Sequence, residues 1–162
     1  MVTPIRKLMQ IIDSRVLIAD NDAVVRRQLY KRLLDYGIFA DCVGDGAAAI
    51  SRLNERSYMM LILDIGLEKV DAYQVLDRIR ELPRAERPIV IAVVTTQESR
   101  SLDFNVVQVV LRKPIRIGDV TDLIRSCLRT VGDDTVRRHQ NAKAAAFSAA
   151  TAASSDSART ST

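Results

Sequence analysis

No tryptophan occurs in this chain, and its only histidine, His139, stands in a polar stretch near the C-terminus where no catalytic part is expected of it. Cysteine is almost as scarce. Cys42 and Cys127 share neither a CxxC nor a metal-ligand spacing, which argues against a disulfide framework and a cysteine metal site. Both sit among apolar residues and read as small buried hydrophobes in a reducing compartment. No apolar run approaches the roughly eighteen residues of a membrane span. Met1–Ser14 has neither a long apolar core nor a small-residue cleavage site. The expectation is a cytoplasmic protein without membrane contact.

Charge of one sign is also missing where it would matter. The net charge is +4, yet residues 1–15 hold three basic residues and one acidic, and residues 129–162 five and three. The sixteen Lys/Arg and sixteen Asp/Glu of residues 16–128 therefore balance. A nucleic-acid reader concentrates positive charge on a folded face; here the excess lies in the flanks, and no DNA binding is expected. What the chain does have is apolar residues, 48% of the total against 27% charged, enough for one soluble domain with its own core.

Three segments differ in character. Residues 1–15 form a leader in which Ile5, Leu8, Ile11 and Ile12 have helical spacing. Residues 16–128 are dense and regular. Residues 129–162 are an Ala/Ser/Thr-rich tail with too few large apolar residues to fold alone, expected to be disordered or partly helical. In the middle segment Val16–Ala19, Ile38–Val43, Met59–Leu63, Ile89–Val94 and Val106–Leu111 read as short buried strands. Amphipathic helices follow Asp22 and occupy Gly46–Asn54, Asp71–Leu82 and Gly118–Leu128. Asp22 is placed to cap the first helix and Gly37 to close it.

Strands alternating with helices imply an α/β fold, a doubly wound parallel sheet with helices on both faces. In such sheets reactive groups gather beyond the carboxyl ends of the strands. That rule brings together Asp20, Asn21 and Asp22 after strand one, Asp64 after strand three, Thr95 and Thr96 after strand four, and Lys113 after strand five. Carboxylates packed at one edge repel each other, and a divalent cation with a taste for oxygen, such as Mg²⁺, relieves the repulsion. A lysine and a threonine opposite can neutralise and hydrogen-bond phosphate oxygens. One carboxylate can then attack phosphorus and become an acyl phosphate. The constellation suits phosphoryl transfer.

The stretches VLIADND, LILDIGLEKVDAYQVL, VIAVVTT and LRKP resemble, in this order, the motifs of CheY-like receiver domains of two-component response regulators. The resemblance spans about Val16–Leu128 and implies a five-stranded, flavodoxin-like sheet of order 2-1-3-4-5. It implies Asp64 as phospho-acceptor, served by a histidine kinase or histidine phosphotransfer protein, with an unidentified protein downstream. It implies Mg²⁺ held by Asp20, Asn21, Asp64 and the Gly66 carbonyl. Lys113, followed by Pro114 through a cis bond, matches the phosphate-binding lysine, and Thr95, with Thr96 as the alternative, the switch hydroxyl. In a stand-alone receiver of this kind no turnover enzyme is implied. The first helix, with Arg26, Arg27, Lys31 and Arg32, is a docking face in this family, although such basic runs are as often merely solvated.

The departures from the family pattern are specific. Asn21 replaces a carboxylate, so Mg²⁺ should bind more weakly. Val110 stands where an aromatic usually swings on activation. Glu68 replaces a common proline and Ala72 a common glycine. The chain between Thr95 and Lys113 is a few residues short, so the fourth helix, over about Gln97–Asp103, should be stunted or missing. Two other functions compete. A pseudo-receiver would bind partners without phosphorylation, as Asn21 and Val110 suggest. A haloacid-dehalogenase-like phosphatase would use DNDAV, with Asp20 as nucleophile and Asp22 as general acid, and the acidic Val131–Asp134; it leaves Asp64 unexplained.

Overall fold

The computed structural model describes residues 16–67, 70–95 and 101–130. Five parallel strands, β1 (Val16–Ala19), β2 (Ala40–Val43), β3 (Met60–Asp64), β4 (Ile89–Val94) and β5 (Val107–Arg112), form one sheet in the order β2-β1-β3-β4-β5. β1 and β3 are apolar without alternation because both of their faces are covered; every residue in them is buried. Leu17, Ala19, Leu61, Leu63, Val90 and Ala92 pack against Ala49 and Leu53 of α2 (Gly46–Glu55) and Val75, Leu76 and Ile79 of α3 (Ala72–Glu81). The alternate residues Val16, Ile18, Met60, Ile62, Ile91 and Val93 point to the other face, where α1 (Ala23–Asp35) buries Leu29 and Leu33. Each large side chain buried in this way contributes about 2 kcal/mol.

The helix starts follow their capping residues. Asp22, Asp45 and Asp71 each accept a hydrogen bond from a first-turn amide of α1, α2 and α3. Gly37, at φ 71°, turns the chain out of α1 in the left-handed conformation that glycine allows. Gly46 meets a tighter demand, since a Cβ there would lie 2.1 Å from the Val70 carbonyl oxygen. Only glycine lets the start of α2 touch the loop after β3.

The β4–β5 connection differs most from a regular strand–helix repeat. Thr96 and residues 97–100 lie outside the described residues, as does Glu68; residues 101–106 contain no helix. The fourth helix is thus shortened or missing, as its length deficit implied. Leu102 packs on the core, and the Asp103 carboxylate accepts from the Asn105 amide and pairs with Arg80 of α3 at 3.0 Å. Beyond this strap, β5 pairs with β4 through a register shift at Val90/Ile91. Gln108 supplies its Oε1 to the Val90 amide at 2.7 Å, in place of a ladder carbonyl.

A closing helix is described over residues 117–130, burying Val120 and Thr121. By internal contacts the chain divides within it, into a unit ending at Thr121 and one beginning at Asp122. The leader expected over residues 1–15, the tail from 131 onward, the 131–134 acidic motif and His139 lie outside the described residues. No described helix is long and apolar enough to cross a membrane. One expectation fails: Cys42 is exposed and Cys127 half-buried. Cys42 lies on β2, an edge strand, so neighbouring strands cover it on one side only.

Candidate functional site at the carboxyl ends of the strands

From β1 the chain crosses to β2 on one side and returns to β3 on the other, so the winding direction changes between β1 and β3. The loops leaving those strands diverge there and open a crevice. Registers align the strand ends: Ala19 pairs with Leu63, Asp64 with Val93, and Val94 with Arg112. Asp20 is the first residue past β1, Asp64 the last of β3, Thr95 the first past β4 and Lys113 the first past β5. Sequence separations of tens of residues collapse into one pocket.

Asp64, 1% exposed, is bound at both oxygens. Lys113 Nζ lies 2.6 Å from Oδ2, and the Gly66 amide donates to Oδ1 at 3.0 Å. The lysine is aimed by its main chain, whose amide donates to the Val94 carbonyl at 2.8 Å, and the bond to Pro114 that follows is cis. Asp20, also buried, accepts the Asp22 amide at Oδ1 at 2.8 Å. Asn21 is exposed and turns its amide nitrogen toward the Gly66 carbonyl, at a long 3.4 Å. Asp22 spends its Oδ1 on the Val24 and Val25 amides, as a helix cap should. Thr95, the first residue past β4, is exposed.

The electrostatics follow from this packing. Burial pushes the Asp20 carboxyl above the ordinary carboxylate range; the Asp22 amide opposes the shift, the Asp64 charge adds to it, and Lys113 opposes it again. For Lys113 burial alone would lower the pKa, but the hydrogen bond and charge of Asp64 outweigh it and hold the ammonium above its ordinary value. Two buried carboxylates thus face one ammonium, leaving an uncompensated negative charge. Asp20, Asp64 and the Gly66 carbonyl are hard oxygen donors around that excess, a set that suits a small divalent cation. Among the described residues no three His, Cys, Asp or Glu side chains gather as a metal cluster. The exposed Asn21 side chain, which reaches the Gly66 carbonyl, adds an amide and no charge to this donor set. The donor set fits Mg²⁺, with less charge than a three-carboxylate site.

One neighbour was hidden in the sequence. Arg26 reads there as part of a basic run on the first helix, yet its Nη1 donates to the main-chain carbonyl of Asp20. Its spacing from Asp20 was the available signal, but spacing does not say which way a helix faces its own entry turn. A separate cavity of about 270 Å³ lies past Pro114, lined among others by Leu111, Arg112, Ile115 and Arg116. Neither carboxylate lines it.

A doubly wound parallel sheet with buried carboxylates and a lysine at its switch point defines a class of α/β domain, and the comparisons with known proteins place the chain within that class. Residues 16–125 match the family model described as the response regulator receiver domain, and the chain belongs to that family. It is 28% identical over 116 residues to the transcriptional regulatory protein TctD of Salmonella typhimurium, covering 71% of this chain and 52% of that protein. It therefore spans about half the length of that relative. It is 27% identical to the response regulator receiver protein CpdR of Brucella abortus, covering 97% of that protein. Among solved structures, a CheY-like receiver domain from Methylobacillus flagellatus superposes with a TM-score of 0.60 at 21% identity, over 70% of this chain and 97% of that one. The receiver domain of a LuxO repressor protein from Vibrio parahaemolyticus gives 0.62 at 20% identity, over 76% and 95%. At those identities the structures speak for the fold alone. Receiver domains are signalling domains of two-component systems rather than turnover enzymes, and the family uses Mg²⁺ in its phosphorylation.

Proposed function

We propose that this protein is a single-domain response regulator that accepts a phosphoryl group on Asp64 from a histidine kinase or histidine phosphotransfer protein. The observation that carries this is the buried Asp64 carboxylate held 2.6 Å from Lys113 Nζ, with Asp20 beside it. An Asp64 oxygen attacks phosphorus, the P–N bond of a donor phosphohistidine breaks, and the imidazole nitrogen leaves with the electron pair. Lys113 transfers its ammonium from the carboxylate to a phosphoryl oxygen, and the Thr95 hydroxyl donates to another. Asp20, Asn21, Asp64 and the Gly66 carbonyl would hold Mg²⁺, which when bound neutralises charge on the transferring group.

Signalling then runs through protein–protein contact in the cytoplasm, without DNA binding by residues 16–128, whose acidic and basic residues balance. The relative matched over 97% of its length is itself described as a response regulator receiver protein. The basic, exposed Arg27, Lys31 and Arg32 of α1 suit an acidic docking surface on the donor. Residues 16–128 are the proposed receiver, and 1–15 and 129–162 its flanks. A phosphorylation-independent pseudo-receiver is the second reading, favoured by the Asn21 amide resting on the carbonyl that would otherwise bind metal. Asp22, the general acid of the phosphatase reading, spends one carboxylate oxygen on capping α1, which weighs against that reading. Incubation with Mg²⁺ and acetyl phosphate should add one phosphoryl mass to the native chain and none to Asp64→Asn. An unchanged adduct in the variant moves the acceptor elsewhere; no adduct in either leaves the pseudo-receiver.

A further inference from the structure

Four basic residues lie along α1, and one of them is set apart by its environment. Arg27, Lys31 and Arg32 are exposed, whereas Arg26 is half-buried. Its Nη1 donates to the Asp20 carbonyl oxygen, and its guanidinium rests on Gly44 in the β2–α2 turn. Nη1, Cζ and Nη2 all lie 3.3–3.6 Å from the point a Gly44 Cβ would occupy, so the guanidinium passes over Gly44 where any side chain would press against it. We propose that Arg26 is a positioning residue for the carboxylate pocket. Seated on Gly44, it holds the Asp20–Asn21 peptide so that the Asp20 carboxylate and the Asn21 amide face Asp64 and Gly66.

The need for such a clamp follows from the backbone. β1 ends at Ala19, and the first helical bond of α1 runs from the Arg26 amide to the Asp22 carbonyl at 3.0 Å. The Asp20 carbonyl falls between the two ladders, in a residue only 2% exposed, and a buried carbonyl needs a partner. Arg26 provides it from outside the pocket. Because the peptide unit is planar, holding its carbonyl also holds the Asn21 amide and the two Cα atoms from which the Asp20 and Asn21 side chains leave. Asp20 Oδ1 is then within reach of the Asp22 amide at 2.8 Å, and Asn21 Nδ2 of the Gly66 carbonyl. Charge alone does not account for Arg26, because the groups that shift Asp20 are its burial, Asp22, Asp64 and Lys113. A lysine could reach the carbonyl but has no guanidinium to pass over Gly44.

The consequence for metal rests on the phospho-acceptor reading of the pocket, so the test has one arm without metal. In the metal-free full-length chain, amide hydrogen exchange is compared for the native protein, Arg26→Met and Arg26→Lys, with Gly44→Ala as a variant that keeps the arginine. Arg26→Met should speed exchange of the Asp22 amide about tenfold, with the β1 and β3 amides unchanged. Arg26→Lys should recover part of that protection, and Gly44→Ala should lose part of it. In the second arm, the dissociation constant for Mg²⁺ alone should rise about tenfold in Arg26→Met and less in Arg26→Lys. Native-like exchange at Asp22 in Arg26→Met overturns the proposal, and so does acceleration spread evenly through the sheet. If the native chain itself binds no Mg²⁺, the phospho-acceptor reading fails, while the metal-free arm still decides the role of Arg26.

Discussion

Replacing Lys113 by methionine keeps a long unbranched side chain but removes the ammonium paired with Asp64. At the observed 2.6 Å separation and an effective dielectric near 20, the gross attraction is roughly 6 kcal/mol. Desolvation of both groups cancels much of this, and breaking one side of a buried pair costs about 3–5 kcal/mol. The lysine side chain is 31% exposed, so water screens it, and the lower end, about 3 kcal/mol, is expected. For a domain of this size that corresponds to a fall in Tm of roughly 10 °C. The loss should depend on pH with a definite sign. Lys113 is one of the groups that hold the Asp20 pKa down against burial, so Asp20 rises further in the variant. A carboxyl whose folded pKa exceeds its unfolded value weakens the fold at neutral pH, and that weakness fades as pH falls through the folded pKa, where the folded state takes up the extra proton. The gap between native and variant should therefore be widest near pH 8 and narrow toward pH 5. Mg²⁺ should also stabilise the variant more than the native chain, since it meets the same excess of negative charge. Urea unfolding followed by far-ultraviolet circular dichroism at both pH values, with and without Mg²⁺, measures all three effects. A variant as stable as the native chain at pH 8, or a gap that widens in acid, would refute the electrostatic account of the pocket.

Gly46→Ala should destabilise the fold by about 1–3 kcal/mol in urea unfolding, because its Cβ would meet the Val70 carbonyl at 2.1 Å and that obstacle is backbone. Asn21→Asp exchanges the contact with the Gly66 carbonyl for a third carboxylate. Unit charges about 4 Å apart interact by roughly 4 kcal/mol at a dielectric near 20 before solvation offsets it. The metal-free variant should therefore be less stable and bind Mg²⁺ more tightly by calorimetric titration, and equal or weaker affinity counts against the pocket. Beryllofluoride should raise amide protection near Thr95 and over residues 101–103, where Arg80 ties the strap to α3, and leave β5 nearly unchanged, because Val110 has no ring to swing. Strong protection of Val107–Arg112 with the strap unaffected would reverse that expectation.

Local chemistry alone settled the element list, because each signal in it is short-range. An unbroken apolar run such as Met59–Leu63 reads as a strand covered on both faces, and Asp22 stands one residue before the helix it caps. Strand ends shifted by a residue or two, as at β2 and β5, because the edge residues pair or not according to their neighbour's register. The order of reactive groups after strands one, three, four and five, together with one topological rule, was enough to bring Asp20, Asp64 and Lys113 to one end of the sheet. What the sequence could not hold were relations between distant backbone segments. That Lys113 reaches Asp64 Oδ2, that Asn21 turns its nitrogen to the Gly66 carbonyl, and that Gln108 repairs a bulge at Val90 all depend on how strands are stacked side by side. Exposure of Cys42 was decided by its strand lying at the sheet edge, a fact of strand order rather than of neighbouring residues. Arg26 is the sharpest case. In one dimension it is one basic residue among four; only the packing of α1 over its own entry turn and beside Gly44 separates it from the others, because direction around a helix acquires meaning when there is something for each side to face.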